Sequence, residues 1–567
     1  MTELRMPVRR RLGMVALTVA VLGALTGCVG IPHSGPVTQG LSLDTGSGTA
    51  NFEFNPEGPE KGAKPSEILT GFVAAFTSAT GGYAVARQYL SDSFAGKWDP
   101  RQSVQVRSGA PRLSTLLGDT IDYSFSAVAT VDASGSYRES SEPVTMRFGF
   151  VKQNGQWRIN SAPSGIVLPS ENFKRIFSQA EIYFFDPTSE HLVPDVRWFP
   201  NGTAATRIVA ALLAGPPEWL SKAVRTEFPD GTRLSDSGSV VTVESGVAKV
   251  DLTKEAQEAS AKERELMRLQ LTSSLSSVPN ISSVSISIEG AVLPIEAQDA
   301  ESPQADAKVD SQALVYRRTS FGYYANNKVA ALPQLSRQVV ALGPRAATLS
   351  SDGESVAVLG TAGVSLVRQS VATPELLDNR LGLADPSLDE YGFVWSVPSE
   401  SPNAIQAFDS TGAAHAVAGS LPADSQIASL EISRDGARVA ILLSTSTGPR
   451  LIVAAIIRDP DQKQAPVSLG TPVVDEPLGD GQAVDATWVD QLTVATLVSG
   501  GVESSVDSFT IGGQRSSLGS LPAAQSIVGG NGLDGLRILG SDQTIWAYRG
   551  SSWQSSNVLV NFIATQR

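Results

Sequence analysis

Two stretches of the C-terminal half, ATLSSDGESVAVLG (Ala347–Gly360) and LEISRDGARVAILL (Leu430–Leu443), nearly superimpose. Each is an apolar run, a Ser-x-Asp-Gly turn and a second apolar run. Glycine reaches the positive φ of a tight turn without steric cost, so Asp-Gly between two apolar runs predicts a β-hairpin. Weaker copies are PSLDEYGFVWSV, TWVDQLTVATLV and LRILGSDQTIWAY. The turn aspartates Asp352, Asp389, Asp435 and Asp490 recur at intervals near the ~40–50 residues of one propeller blade. Radial repetition leaves few open strand edges. Residues 311–567 are therefore expected to form an all-β propeller of about five or six blades, with a β-sandwich carrying coincidental turns as the alternative.

Ahead of the repeats the pattern changes to mixed helix and strand. In PSEILTGFVAAFTSA, Ile68, Leu69, Phe72, Val73 and Phe76 form a helical stripe with Ser66 as the expected N-cap. A second helix is expected in GYAVARQYLSD, followed by alternating strands in which Asn154-Gly155 marks a hairpin. Two helices and a curved antiparallel sheet over 66–175 resemble the cone of the nuclear-transport-factor-like fold, here without the histidine or clustered acids of its enzymes. Residues 180–295 read as a second α+β unit. It has a helix at TAATRIVAALLAG, strands at SVVTVESGVAKVDLT and ISSVSISIEG, and a long helix spanning EAQEASAKERELMRLQLTSSLSSV. The acidic IEAQDAESPQADAKVD is the expected link to the repeats. The predicted fold class is thus multidomain, two α+β domains followed by an all-β propeller.

The N-terminus carries a different signal. Arg9, Arg10 and Arg11 precede an apolar run from Leu12 to Leu25. That run is shorter than the ~20 residues of a membrane-spanning helix and has the layout of a secretory signal peptide. It ends in Leu25-Thr26-Gly27-Cys28, which resembles the bacterial lipobox. Residues 1–27 are read as a lipoprotein signal peptide, Cys28 as the lipidated residue, and 28–65, rich in Gly, Pro, Ser and Thr, as a flexible tether. The expected location is the extracytoplasmic side of the cell membrane.

Composition excludes several classes of function. A formal net charge of −13 opposes nucleic-acid binding. One cysteine cannot form an intramolecular disulfide or a thiolate zinc site. The histidines His33, His191 and His415 have no metal-ligand spacing, and His191 and His415 read as surface residues. No nucleophile elbow, phosphate loop or dinucleotide fingerprint occurs. Asp385, Asp389 and Glu390 are close in sequence but read as turn acids of a blade, and Trp395, Trp488 and Trp546 as aromatic core of strands. No catalytic residue, metal site or cofactor is expected.

The segments LLAGPPEWL, FPDGTRL, VAKVDLT and VSISIEG together resemble a GerM-type domain over roughly 180–290, a non-enzymatic interaction module. The whole order of parts, with the Ile-Pro-x-Ser-Gly-Pro-Val run at Ile31–Val37 after Cys28, resembles the actinobacterial LpqB lipoprotein family. That resemblance implies an accessory role. The expected partner is the extracytoplasmic domain of an MtrB-like sensor histidine kinase, and the expected effect is on two-component signalling in cell-envelope homeostasis and division. The resemblance implies no catalytic motif and names no partner-binding residue. The rival reading is a lipoprotein that binds or hydrolyses cell-wall glycan in the propeller channel.

Overall fold

The structure is a computed structural model that describes residues 56–115, 119–295, 303 and 305–567. Its first region opens with the helix Pro65–Ala74, which buries Ile68, Leu69, Phe72 and Val73. The helix starts one residue before the expected cap. Pro65 takes the first helical position, where its fixed φ suits the helix and its missing N–H costs nothing, and Ser66 lies inside. Glu67 Oε2 accepts the Lys64 N–H at 2.8 Å.

A sheet follows in the order Gln156–Ser161, Pro143–Gln153, Thr120–Asp132, Ser103–Thr115, Ile166–Pro169, antiparallel except for the last pair. Asn154 and Gly155 make the two-residue turn at φ 54° and 73°, as their sequence predicts. Phe72, Phe76, Tyr83, Trp98, Tyr123 and Phe148 fill the space between helices and sheet. The end of the expected tether is held against this region. Tyr89 Oη donates to the Glu57 carbonyl at 2.8 Å, and Gly62 N–H donates to Gln156 Oε1 at 2.7 Å.

The second region begins with a hairpin, Phe177–Phe185 with Leu192–Pro200. The strands Val247–Leu252 and Ser283–Ile288 pair in parallel, and the helix Ala261–Leu275 connects them. The expected long helix is interrupted. Lys254–Glu258 form a 3₁₀ turn, and Ser260 then caps a new start, exchanging hydrogen bonds with Glu263. Two polar residues sit on the buried face of this helix because they serve the hairpin backbone. Gln270 Nε2 donates to the Tyr183 carbonyl at 2.9 Å, and Ser274 Oγ accepts the Tyr183 N–H at 3.0 Å.

Residues from Ala313 onward form six sheets, antiparallel but for one C-terminal strand, whose first strands open at Ala313, Ala346, Ser387, Gln426, Gln482 and Ala524. First strands of successive sheets from the second to the sixth contact one another around a common axis. The ring closes through the C-terminus. Phe562–Ile563 add to the first sheet inside Ala313–Arg317, and Thr565–Gln566 run parallel to Thr348–Leu349 of the second. The Asp-Gly turns hold as read, with Gly353 at φ 70° and Gly436 at φ 68°.

The second region and the propeller share packing. Ala437 and Ala455 of the fourth sheet belong to the same apolar cluster as Ile182, Leu212 and Leu271. Their polar contacts are equally direct: Trp198 Nε1 donates to the Gly512 carbonyl at 3.0 Å, and Gln491 Nε2 to Tyr183 Oη at 2.7 Å.

Candidate functional site

Cys28 and His33 lie outside the described residues. The remaining residues singled out from sequence fall into two groups on the propeller and its cap. Asp389 is buried and organises its own blade. Its Oδ1 accepts the N–H groups of Tyr391 (3.1 Å) and Phe393 (2.9 Å), and its Oδ2 accepts Trp395 Nε1 (2.9 Å) and Arg458 Nη2 (2.8 Å). The turn reading therefore extends to a buried ion pair. Trp488 is also buried, donating Nε1 to the Glu431 carbonyl at 2.9 Å, while Trp546 packs half-buried against the sixth blade.

Both histidines are half-buried. His415 Nε2 pairs with Asp409 Oδ2 at 3.2 Å, and its ring meets Phe393 edge-on. His191 closes the tip of the second region's hairpin, where its N–H donates to Asp186 Oδ1 at 2.7 Å. That tip packs against the propeller turns that carry Tyr391, Arg434 and Gln491. His191, Asp306, Arg434, Asp435 and Gln491 enclose a space of about 10 Å³ there, room for about one water.

Beneath the tip the C-terminal residue seals the ring. Arg567 N–H donates to the Leu349 carbonyl at 3.0 Å. Its buried guanidinium donates to Ser387 Oγ at 2.6 Å, to the Ile432 carbonyl and to the Glu431 carboxylate. One residue thus ties the second blade through its backbone and the third and fourth through its side chain. Burial pushes the Glu390 carboxyl above the ordinary range, against the Ser351 hydroxyl that donates to it at 2.7 Å and the nearby Arg567 guanidinium.

Two further acids lie along the inner strands, Asp485 in the middle of Gln482–Trp488 and Asp385 just ahead of Ser387–Leu388. Asp485 Oδ2 accepts the Ile527 N–H at 2.9 Å and so bridges the fifth and sixth blades. Burial pushes its carboxyl up to about 7, with the charge of Asp385 adding to the effect. Asp385 touches solvent yet is hemmed in by protein, and this confinement raises it to about 6. Among the described residues no group of three or more His, Cys, Asp or Glu is arranged to hold a metal ion, and no helix is long and apolar enough to cross a membrane.

A further concavity is one that sequence order hides. A cleft of about 1040 Å³ is walled by all three regions: Ser134–Glu139 of the first, Asp195–Arg197 and Ala210–Trp219 of the second, and Val473–Glu476 and Phe509–Gly513 of the propeller. Arg197 fastens one corner, with its Nε on Asp195 Oδ2 at 2.5 Å and its Nη1 on Ser134 Oγ at 2.6 Å and Ser136 Oγ at 2.9 Å. Burial raises the Asp195 carboxyl against the pull of that guanidinium. Arg515 N–H donates to Glu139 Oε1 at 2.9 Å and joins the first region to the fifth blade. Glu476 also lines the cleft, pushed up first by burial and then by the like charges of Glu139 and Asp475.

Comparisons with known proteins divide the chain along the same regions. Residues 58–174 match the model described as lipoprotein LpqB, N-terminal domain, residues 181–294 the one described as sporulation and spore germination, and 323–561 the lipoprotein LpqB beta-propeller domain. A lipoprotein LpqB of Cutibacterium acnes is 32% identical over 294 residues, 51% of this chain and 49% of that protein. One from Streptomyces coelicolor is 26% identical over 552 residues, 87% of this chain and 88% of its own length. The chain thus spans about half the length of the first-ranked curated relatives it matches, and most of the Streptomyces protein. A solved structure of the first GerMN domain of the sporulation protein GerM from Bacillus subtilis is 22% identical, covering 22% of this chain and 93% of its own, with a TM-score of 0.18. With a lipoprotein LpqB N-terminal domain, a GerMN-type domain and a lipoprotein LpqB propeller in succession, the chain belongs to the LpqB lipoprotein family.

Proposed function

We propose that this chain is an extracytoplasmic accessory lipoprotein, anchored in the cell membrane through Cys28, that binds the extracytoplasmic domain of an MtrB-like sensor histidine kinase. Binding modulates two-component signalling in cell-envelope homeostasis and division. The observation that carries this reading is the union of three regions through specific side-chain contacts. Arg197 joins the first to the second, Trp198 the second to the propeller, and Arg515 the propeller to the first. Such a body offers one composite surface to a partner.

The mechanism is coupling. A partner shifts a kinase equilibrium only by binding one of its conformations more tightly. Anchoring both proteins in one membrane raises their effective concentration, so a modest affinity suffices. Titration of the purified chain against the kinase's extracytoplasmic domain tests the contact. Saturable binding is expected. Absence of binding in solution, together with no cross-link when both proteins share a vesicle, would overturn the reading.

A second reading, a channel that binds or hydrolyses glycan, draws on Asp385 and Asp485. Two carboxyls held well above the usual range are what acid chemistry near neutral pH requires. Against it stands the packing on one face of the ring, where Arg567 ties the third and fourth blades and the hairpin tip docks on Tyr391. Glycan fragments that bind the wild-type chain but not the Asp485→Asn variant would favour it.

A further inference from the structure

The cleft among the three regions has a volume at the upper limit of the ~300–1,000 Å³ that small-molecule pockets span. Its position at a junction of domains is a preferred one for binding. Three features of its wall agree on one kind of occupant. The first is a strand edge. Val474–Pro477 pair with Arg450–Val453 and with no other strand among the described residues, and three of their four residues are exposed. The Leu478 N–H donates to the Pro449 carbonyl at 2.9 Å. By the alternation of an antiparallel ladder, Glu476 and Val474 then turn their backbone groups toward that strand, and Asp475 turns its N–H and C=O away from it. An unpaired edge of this kind accepts an extended peptide.

The second feature is charge. Glu139, Asp475 and Glu476 lie near one another on the wall, and Arg450 and Arg515 offset only part of their repulsion at Glu476, whose carboxyl stays raised. Asp475 has Arg450 as a partner and Glu139 accepts the Arg515 N–H, whereas Glu476 has neither an ion pair nor a side-chain hydrogen bond among the described residues. The third is an apolar lining of half-buried Val473 and the largely buried Val196, Phe199, Phe509 and Ile511.

We propose that this cleft is a docking site for an extended, basic peptide segment. The segment adds to the free edge of Val474–Pro477 and places a Lys or Arg side chain among Glu139, Asp475 and Glu476. Its alternate residues are apolar, because side chains of a strand point to opposite faces and one face meets Val196 and Ile511. A cation there neutralises crowded carboxylates, and pairing to the edge supplies main-chain hydrogen bonds that any sequence can make. Charge therefore selects the segment while the backbone holds it. This site stands apart from the kinase reading, since any protein or peptide on the same side of the membrane could supply the segment.

The test is fluorescence anisotropy of the detergent-solubilised full chain with a labelled, acetylated and amidated peptide of alternating Val and Arg. Saturable binding is expected, weakened about tenfold by Glu476→Lys and less by the isosteric Glu476→Gln. Asp424→Lys, an exposed change outside the cleft, should leave binding unchanged. A peptide N-methylated at alternate residues should not bind, and neither should one with Glu in place of Arg. Three results would overturn the proposal. These are no saturable binding, equal losses for Glu476→Lys and Asp424→Lys (bulk attraction to an acidic chain), or undiminished binding of the N-methylated peptide.

Discussion

Tyr391 Oη of the propeller donates a hydrogen bond to Asp186 Oδ2 of the second region at 2.8 Å. The same buried carboxylate accepts the N–H groups of Thr188, Glu190 and His191, so the group that closes the hairpin tip also docks it. Beneath the Tyr391 ring lies the Arg458 guanidinium, 4.1 Å from its centroid and paired to Asp389. Turn, interface and blade core are therefore one connected network.

Tyr391→Phe removes only the hydroxyl. Asp186 keeps its other donors, so the expected loss is that of one hydrogen bond to a charged group, about 1.5–3 kcal/mol. Hydrogen exchange should rise at residues 186–192 and stay unchanged at the sheet of the first region. Unchanged exchange at the tip would show that the contact carries no docking energy.

Arg567→Ala leaves Glu431 buried beside the axis without its cation. Breaking a buried pair from one side costs about 3–5 kcal/mol. The propeller should melt at lower temperature, while Arg337→Ala, at an exposed position of the helix Leu335–Ala341, should be nearly neutral. Equal melting temperatures for both variants would contradict the sealing role of the C-terminus.

The pH dependence follows from Asp485. Its folded carboxyl titrates at about 7, against about 3.9 in an unfolded chain. Between those values the folded state binds a proton that the unfolded state does not. Stability from this group therefore falls as pH rises from about 4 to 7, and the loss is complete above 7. Between pH 8 and pH 5 the wild type should gain about 1–2 kcal/mol more than Asp485→Asn, a figure reduced for water reaching the channel. Urea titrations at the two pH values measure it.

Gly512 permits the close approach of the propeller to the second region. At φ 72° a Cβ there would lie 3.0 Å from both the Cβ and the carbonyl oxygen of Val196, beside the Trp198 hydrogen bond. Gly512→Ala combines strained backbone with that clash, so a loss of about 1–3 kcal/mol is expected. Gly501→Ala, also at positive φ but with open space around it, isolates the backbone share.

What the sequence revealed was local. Ser-x-Asp-Gly turns at Asp352 and Asp435 are short-range chemistry, and they disclosed the repeat. The first blade escaped because its turns carry no such signature: Arg318 and the pair Asn326-Asn327 take the positive φ instead. Its inner strand, Phe562–Ile563, arrives from the far end of the chain. Ser66 was a sound cap candidate, displaced because the neighbouring Pro65 fits the first helical turn better. The cleft was not legible at all. Arg138, Asp195 and Glu476 lie in three different regions of the chain, and no pattern along one of them announces the others. His191 likewise looked like a surface residue because the propeller that covers it begins more than a hundred residues later.

The most direct test of the central claim is kinase autophosphorylation in vesicles that carry an MtrB-like kinase with its extracytoplasmic domain facing the added protein. The acylated wild-type chain and an unacylated Cys28→Ser chain are compared at equal total concentration. A rate that changes with the acylated chain, and changes much less with Cys28→Ser, is the predicted result. An identical rate with either chain and with none would contradict the account.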